Sequence, residues 1–245
     1  MTETADLDVV ILCGGLGTRL RSVLADRPKP MALIHGRPFL DVLVDQVVAH
    51  GFRRIVFCTG HHGDWIAEYF GCREDIEAVM SHEPVPLGTG GALRACRHHL
   101  GSSAILVLNG DSLCPIDLSS FVAEHRRRAA VATVAVVPAD GRSDGGGITL
   151  DREGRVTSFH EKAMGAYLNA GMYVLDHAVI GHISGQVPCS LEYEVFPALV
   201  GHGLYGSVHC VPLHDIGTPE RLSEFQLQYA RSHNLHAQAL QGGEE

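Results

Sequence analysis

Positive charge is scarce in this chain: 19 lysines and arginines stand against 28 acids, a formal net charge of −9 over 245 residues. Nonspecific binding to nucleic acid or to an anionic membrane is therefore disfavoured, and an anionic ligand must be held by a few placed cations. The 7 cysteines include no Cys-x-x-Cys pair. Scattered thiols of this kind read as reduced, mostly buried residues of a cytoplasmic protein. No apolar run approaches the roughly 20 residues of a membrane span. The polar start, Met1 to Asp8, is not expected to be a signal peptide. Histidine is plentiful at 16 residues, but no His-Glu-x-x-His arrangement occurs. Neighbours such as His61-His62 and His98-His99 diverge on a strand or a helix, so they read as solvated or core residues rather than metal ligands.

What is present is a hydrophobic fraction of 45%, ample for the core of one large domain. Apolar runs alternate with helical patterns through the first half. Strands are expected at Val9–Leu12, Arg54–Cys58, Ile76–Met80, Ala104–Leu108 and Val131–Val137. Helices are expected at Phe39–His50, Asp64–Phe70, Gly91–His99 and Ser119–Arg128. Such alternation predicts a mostly parallel sheet with its ligand at the strands' carboxyl ends. The second half reads differently: Gly145–Leu150, Val156–His160 and Tyr167–Val174 look like an antiparallel insertion with short connections. A helix at Glu194–Val200, a strand at Leu204–Leu213 and a closing helix at Pro219–Ala230 follow, with fraying expected from Gln238 to Glu245. One domain spanning 1–245 is the reading, in two parts of about 8–140 and about 141–235.

The segment richest in chemistry is Cys13-Gly14-Gly15-Leu16-Gly17-Thr18-Arg19-Leu20, directly after the first strand, followed by Arg27-Pro28-Lys29-Pro30-Met31. A glycine loop after a strand lets backbone N–H groups approach phosphate oxygens. Leu20 stands where a dinucleotide fingerprint needs its third glycine, and the Gly-Lys-Ser/Thr of a P-loop is absent. Arg19 and Lys29 supply the local positive charge that the overall balance lacks. The prolines flanking Lys29 preset the direction of its loop.

These residues resemble the signature of the sugar-1-phosphate nucleotidyltransferases. Further matches run in family order from Val10 to Glu220: Glu83-Pro84-Val85-Pro86-Leu87-Gly88-Thr89-Gly90-Gly91, Asn109-Gly110-Asp111, Phe159-His160-Glu161-Lys162, Asn169-Ala170-Gly171-Met172-Tyr173, Ser190-Leu191-Glu192 and Asp215-Ile216-Gly217-Thr218-Pro219. The resemblance implies an α/β fold: a Rossmann-like three-layer α/β/α arrangement with a mixed, mainly parallel sheet and a small antiparallel sugar-binding insertion. It implies that Leu12, Gly14, Gly15, Gly17, Thr18 and Arg19 wrap a triphosphate, with Arg19 at its β/γ end and Lys29 near the reacting centre. Glu83, Leu87, Gly88, Thr89 and Gly91 would form the base-recognition loop, whose glycines allow flat approach of a nucleobase. Asp111 and Asp215 would hold Mg²⁺, which needs only one or two carboxylates besides substrate phosphates. Either aspartate alone reads equally as a turn or cap residue. Asn109, Gly110, Glu161, Lys162, Asn169, Gly171 and Glu192 would line the sugar-phosphate side. Ala163 stands where the family often has proline, and Ser190 or Glu192 could instead serve a capping box.

The implied reaction joins a nucleoside triphosphate to a sugar 1-phosphate, with Arg19, Lys29, Asp111 and Lys162 as the catalytic set. Within the family the motifs are most similar to the heptose branch, which favours GTP. ATP and hexose phosphates stay open, because one or two hydrogen bonds in the base loop can switch the base. No length is expected to remain for the C-terminal β-helix of longer relatives. A glycosyltransferase would show Asp-x-Asp where Asn109-Gly110-Asp111 stands. A noncatalytic sensor would not need Arg19, Lys29, Asp111 and Lys162 together. The partners expected are the two substrates, with no nucleic acid and no membrane, and a homodimer left open.

Overall fold

The computed structural model describes residues 7–15, 17, 20, 24, 27–141, 147–160 and 165–241, with 232–241 as backbone only. The first half runs β1 (Asp8–Leu12), β2 (Leu33–Ile34), β3 (Arg37–Pro38), α1 (Phe39–Ala49), β4 (Arg54–Thr59), α2 (Gly63–Gly71), β5 (Glu77–His82), α3 (Gly88–Ala95), β6 (Ala104–Asn109), β7 (Ser112–Leu113), α4 (Leu118–Arg128) and β8 (Ala132–Pro138). The second half runs β9 (Gly147–Leu150), β10 (Val156–His160), β11 (Tyr167–Asp176), α5 (Ala178–His182), α6 (Phe196–Leu199), β12 (Leu204–Val208), β13 (His214–Asp215) and α7 (Pro219–Gln241).

β5, β4, β1 and β6 lie side by side in that order, all parallel. β11 continues the sheet antiparallel to β6, β8 pairs antiparallel with β11, and β12 pairs parallel with β8. The sheet is thus mixed and mainly parallel. Strand residues alternate between two cores, as a period of two requires. Val9 and Ile11 pack with Leu40 and Leu43 of α1, Ile66 of α2 and Phe121 of α4. Val10 and Leu12 pack on the other face with Ala92 and Leu93 of α3, Ile180 of α5 and Phe196 of α6. A third cluster seats Leu222 and Phe225 of α7 on Ile34 and Phe39. The result is a three-layer α/β/α fold. Among the described residues no helix is long and apolar enough to cross a membrane.

Several boundaries differ from the sequence reading. Tyr167–Asp176 is not part of a small insertion; it is a ten-residue strand through the main sheet, and only Tyr167 and Leu168 pair with β9. Its buried run from Ala170 to Leu175 suits a strand covered on both faces. β12 stops at Val208, and the chain then turns away to carry His214 and Asp215 to β7. Pro212, with no N–H, cannot continue a ladder. α3 starts at Gly88 and its last turn tightens to 3₁₀ geometry over Cys96–His99. The helix expected at 194–200 begins as a π-turn at Leu191–Val195. The closing helix runs to Gln241, so its backbone is helical through residues 238–241, where fraying was expected.

Candidate active site

β1 connects onward to β4 on one side of it, while its other neighbour is β6. In an open α/β sheet this reversal leaves a crevice beyond the strands' carboxyl ends. Here the crevice lies between Leu12-Cys13-Gly14 and Asn109-Gly110-Asp111. The two ends are tied by Gly110 N–H donating to the Leu12 carbonyl at 2.9 Å. The cavity is about 270 Å³ and is lined by Leu12, Gly14, Gly15, Gly17, Lys29, Thr89, Asn109 and Asp111, among others. The structure therefore brings together residues drawn from four separate motifs. Gly15, at φ +134°, has nothing within 4 Å of where a Cβ would stand, so that space is open to a ligand. Thr18, Arg19, Glu161 and Lys162 lie outside the described residues.

Lys29 sits in a short 3₁₀ turn, Lys29–Met31, between its two prolines. Its Nζ donates to Asp111 Oδ2 at 2.5 Å. Burial pushes the Asp111 carboxyl up, but the Lys29 ammonium and the Ser112 hydroxyl outweigh it and hold the group below its ordinary value. Asp215 arrives alongside through the β7–β13 ladder, in which it pairs with Ser112, and Ile216 N–H donates to the Asp111 carbonyl at 3.1 Å. Asp215 does not cap α7: its oxygens accept from Arg221 Nη1 at 2.8 and 2.9 Å and from Gly217 N–H. At that helix start it is Thr218 whose Oγ1 accepts from Arg221 N–H. Among the described residues no group of three His, Cys, Asp or Glu side chains converges as a self-sufficient metal site. Two hard carboxylates on neighbouring strands nevertheless fit Mg²⁺, which completes its shell with phosphate oxygens and water.

Glu83 is buried beneath the glycine loop, with a side-chain oxygen 2.8 Å from where a Gly14 Cβ would stand. A side chain at Gly14 would displace the Glu83 carboxylate. Burial pushes the Glu83 carboxyl up, and the Leu87 N–H, 3.4 Å from Oε2, offsets this only in part. Among the described residues its Oε1 has no hydrogen-bond partner. Glu83 and Gly15 border a second cavity of about 390 Å³ that includes His61, His62 and Pro84–Pro86. A Cβ on Gly88, at φ +75°, would stand 2.4 Å from the Cys189 carbonyl oxygen, which accepts from both Gly90 and Gly91 N–H. The chain's own Cys189 thus packs closely against this glycine run. Burial also pushes the Cys13 thiol up, with Asp111 and Glu83 adding to the effect, so Cys13 is not a thiolate nucleophile.

The sugar-side residues meet at a hub that the sequence reading did not assign, Tyr173. Its hydroxyl donates to Glu192 Oε1 at 3.1 Å and accepts from Asn169 Nδ2 at 2.9 Å and Asn109 Nδ2 at 3.4 Å. Glu192 Oε2 accepts from Thr89 Oγ1 at 2.6 Å, which joins the sugar side to the base loop. Gly171 N–H donates to Asn169 Oδ1, and Asn109 Oδ1 is buried without a partner among the described residues. Ser190 does cap: its hydroxyl accepts from the Glu192 and Tyr193 N–H groups. Of the two readings of Ser190-Leu191-Glu192, the cap is seen at Ser190. Tyr173 was signalled by its place four residues after Asn169 in one strand, and Arg221 by its place in the first turns of the helix after Asp215.

Comparison with known proteins agrees with this geometry. The family description "Nucleotidyl transferase" matches residues 8–232. Mannose-1-phosphate guanylyltransferase of Mycobacterium tuberculosis is 35% identical over 89% of this chain, which spans 63% of that enzyme's length. D-glycero-alpha-D-manno-heptose 1-phosphate guanylyltransferase of Aneurinibacillus thermoaerophilus is 31% identical, over 91% of this chain and 99% of that enzyme. The crystal structure of HddC from Yersinia pseudotuberculosis superposes with a TM-score of 0.81 at 30% identity, covering 91% of this chain and 99% of that one. The same protein complexed with GMP-PN gives 0.79 at 29% identity, with the same coverage. This chain belongs to the nucleotidyl transferase family of enzymes.

Proposed function

We propose that this chain transfers the guanylyl group of GTP to D-glycero-α-D-manno-heptose 1-phosphate, with Mg²⁺, releasing pyrophosphate. The observation that carries the reading is the meeting of Lys29, Asp111 and Asp215 at the sheet's switch point. A sugar phosphate oxygen is already anionic at neutral pH and needs no general base to attack the α-phosphorus. The obstacle is the approach of two polyanions, so catalysis comes from positioning and charge neutralisation. Lys29 neutralises charge beside the reacting phosphates. Arg19 is assigned to the departing pyrophosphate and Lys162 to the sugar phosphate. Mg²⁺, when bound by Asp111 and Asp215, supplies further neutralisation between the two substrates. In this division about 8–140 hold the nucleotide and about 141–235 the sugar, and a cytoplasmic location goes with the chain's seven free thiols.

Glu83 supports guanine. A carboxylate with an unpartnered oxygen beside the glycine loop accepts two hydrogen bonds from the N1–H and N2–H₂ edge of guanine, whereas adenine presents no such pair of donors. The likeness to the heptose enzyme, 31% identical over 91% of this chain, supports the heptose, and Asn109, Asn169, Tyr173 and Glu192 offer hydrogen bonds to its hydroxyls. The greater identity to the mannose enzyme makes mannose 1-phosphate the comparison to include.

The test is a matrix of ATP, GTP, UTP, CTP and dTTP against heptose and hexose 1-phosphates, read as pyrophosphate release with Mg²⁺. GTP with the heptose phosphate should be fastest. ATP outrunning GTP would overturn the base assignment, a hexose phosphate outrunning the heptose would overturn the sugar, and no release from any pair would overturn the reaction itself.

A further inference from the structure

Arg221 has an unusual hold on Asp215. One nitrogen, Nη1, lies 2.8 Å from Oδ1 and 2.9 Å from Oδ2. Arginine–carboxylate pairs frequently use two arms of the guanidinium fork, one on each oxygen. A single cationic nitrogen nearly equidistant from both oxygens instead stands where a metal ion chelates a carboxylate. Asp111 is similarly engaged, by Lys29 Nζ. The two pairs adjoin: a Cβ on Gly217 would stand 2.8 Å from Asp215 Oδ1 and 3.8 Å from Lys29 Nζ. The site therefore holds two carboxylates matched by two cations, where the proposed reaction requires a divalent ion among phosphates.

The geometry points to Arg221 as a positioning residue that holds Asp215 in the substrate-free enzyme and competes with the divalent cation for its carboxylate. The inference rests on the reading of Asp111 and Asp215 as the metal pair. Its consequence is an order of loading. The metal binds weakly to the protein alone and is drawn in with the triphosphate, whose oxygens contribute the remaining ligands and attract the displaced cations. Arg221 has room to turn away, since it also lines a cavity of about 610 Å³ beside Asp215, with Asp140, Glu224 and Gln228 on its wall. Its side chain is 28% exposed and that of Asp215 19%, so exchange of partners does not require opening the core.

The experiment titrates Mn²⁺ alone into substrate-free protein and reads unbound Mn²⁺ by electron paramagnetic resonance. Arg221→Gln should bind Mn²⁺ about tenfold more tightly than the wild type, the scale of relieving one partly exposed ion pair. Arg221→Lys, which keeps a cation, should stay within about twofold of wild type. Arg221→Met repeats the test should the glutamine variant fail to fold by circular dichroism. Asp215→Asn should lose the binding. Unchanged or weaker binding in Arg221→Gln and Arg221→Met, with Asp215→Asn still losing it, would show that Arg221 only supports Asp215 and would overturn the inference. Wild-type binding in Asp215→Asn would instead remove the metal assignment on which it rests.

Discussion

Glu83 is the residue whose environment says most about selectivity. It is a buried carboxylate with one oxygen unpartnered among the described residues. Leaving such a group unsatisfied is costly, so the ligand that supplies donors gains the difference. Glu83→Gln replaces one acceptor by an amide donor that opposes the guanine amino group. It should lower kcat/KM for GTP on the order of 10- to 100-fold, with little effect on ATP. Steady-state kinetics with both nucleotides checks this, and equal losses for both would point to a structural role. At this scale the motifs singled out Lys29, Asp111, Asp215 and Glu83 because each stands with other matches in one order along the chain, whereas either aspartate alone reads as a turn or cap residue. Tyr173 and Arg221 were missed, although their spacing from Asn169 and Asp215 offered a weak signal. A tyrosine in a buried strand reads as core, and its hub role emerges only when β6, β11 and the 190–192 segment meet.

Among the elements, α3 depends on a contact made far along the chain. The Cys189 carbonyl sits against Gly88, Gly90 and Gly91 and accepts two of their N–H groups. Gly88→Ala would place a Cβ against that carbonyl at positive φ, and should cost about 2–4 kcal/mol of stability. Chemical denaturation checks this, and a change below about 0.5 kcal/mol would contradict the packing described. The elements with strong periodicity, β1, α1, β4, β6 and α4, were legible within a few residues. The β2–β3 hairpin was missed although its two-residue turn, His35-Gly36, has positive φ at both positions, the geometry favoured between antiparallel strands. Two-residue strands carry too little pattern to register. β11 was seen as a strand but assigned to the wrong part of the sheet, because pairing partners are not written in local periodicity.

For the whole molecule, acid stability reports on its buried histidines. His125 of α4 is buried against Thr133 of β8, with its ring nitrogen 2.9 Å from Oγ1. Burial lowers its value from 6.5 to about 4. A depressed histidine adds stability above its unfolded value, and that stability is lost as pH falls toward the folded value. Between pH 7 and 5 this one residue should remove about 2 kcal/mol. Urea unfolding at the two pH values, in wild type and His125→Asn, should show the variant losing less over that interval. Equal slopes would contradict the burial argument.

At the same scale, the central claim is attack on the α-phosphorus by a sugar phosphate oxygen, within one crevice at the β1/β6 switch point. The measurement that tests it most directly uses a sugar 1-phosphate labelled with ¹⁸O at its three nonbridging phosphate oxygens, followed by ³¹P nuclear magnetic resonance of the products. All three labelled oxygens should appear in the nucleotide sugar, one of them bridging the two phosphorus atoms, and the pyrophosphate should carry none. Label in the pyrophosphate, or release of nucleoside diphosphate in its place, would contradict the account.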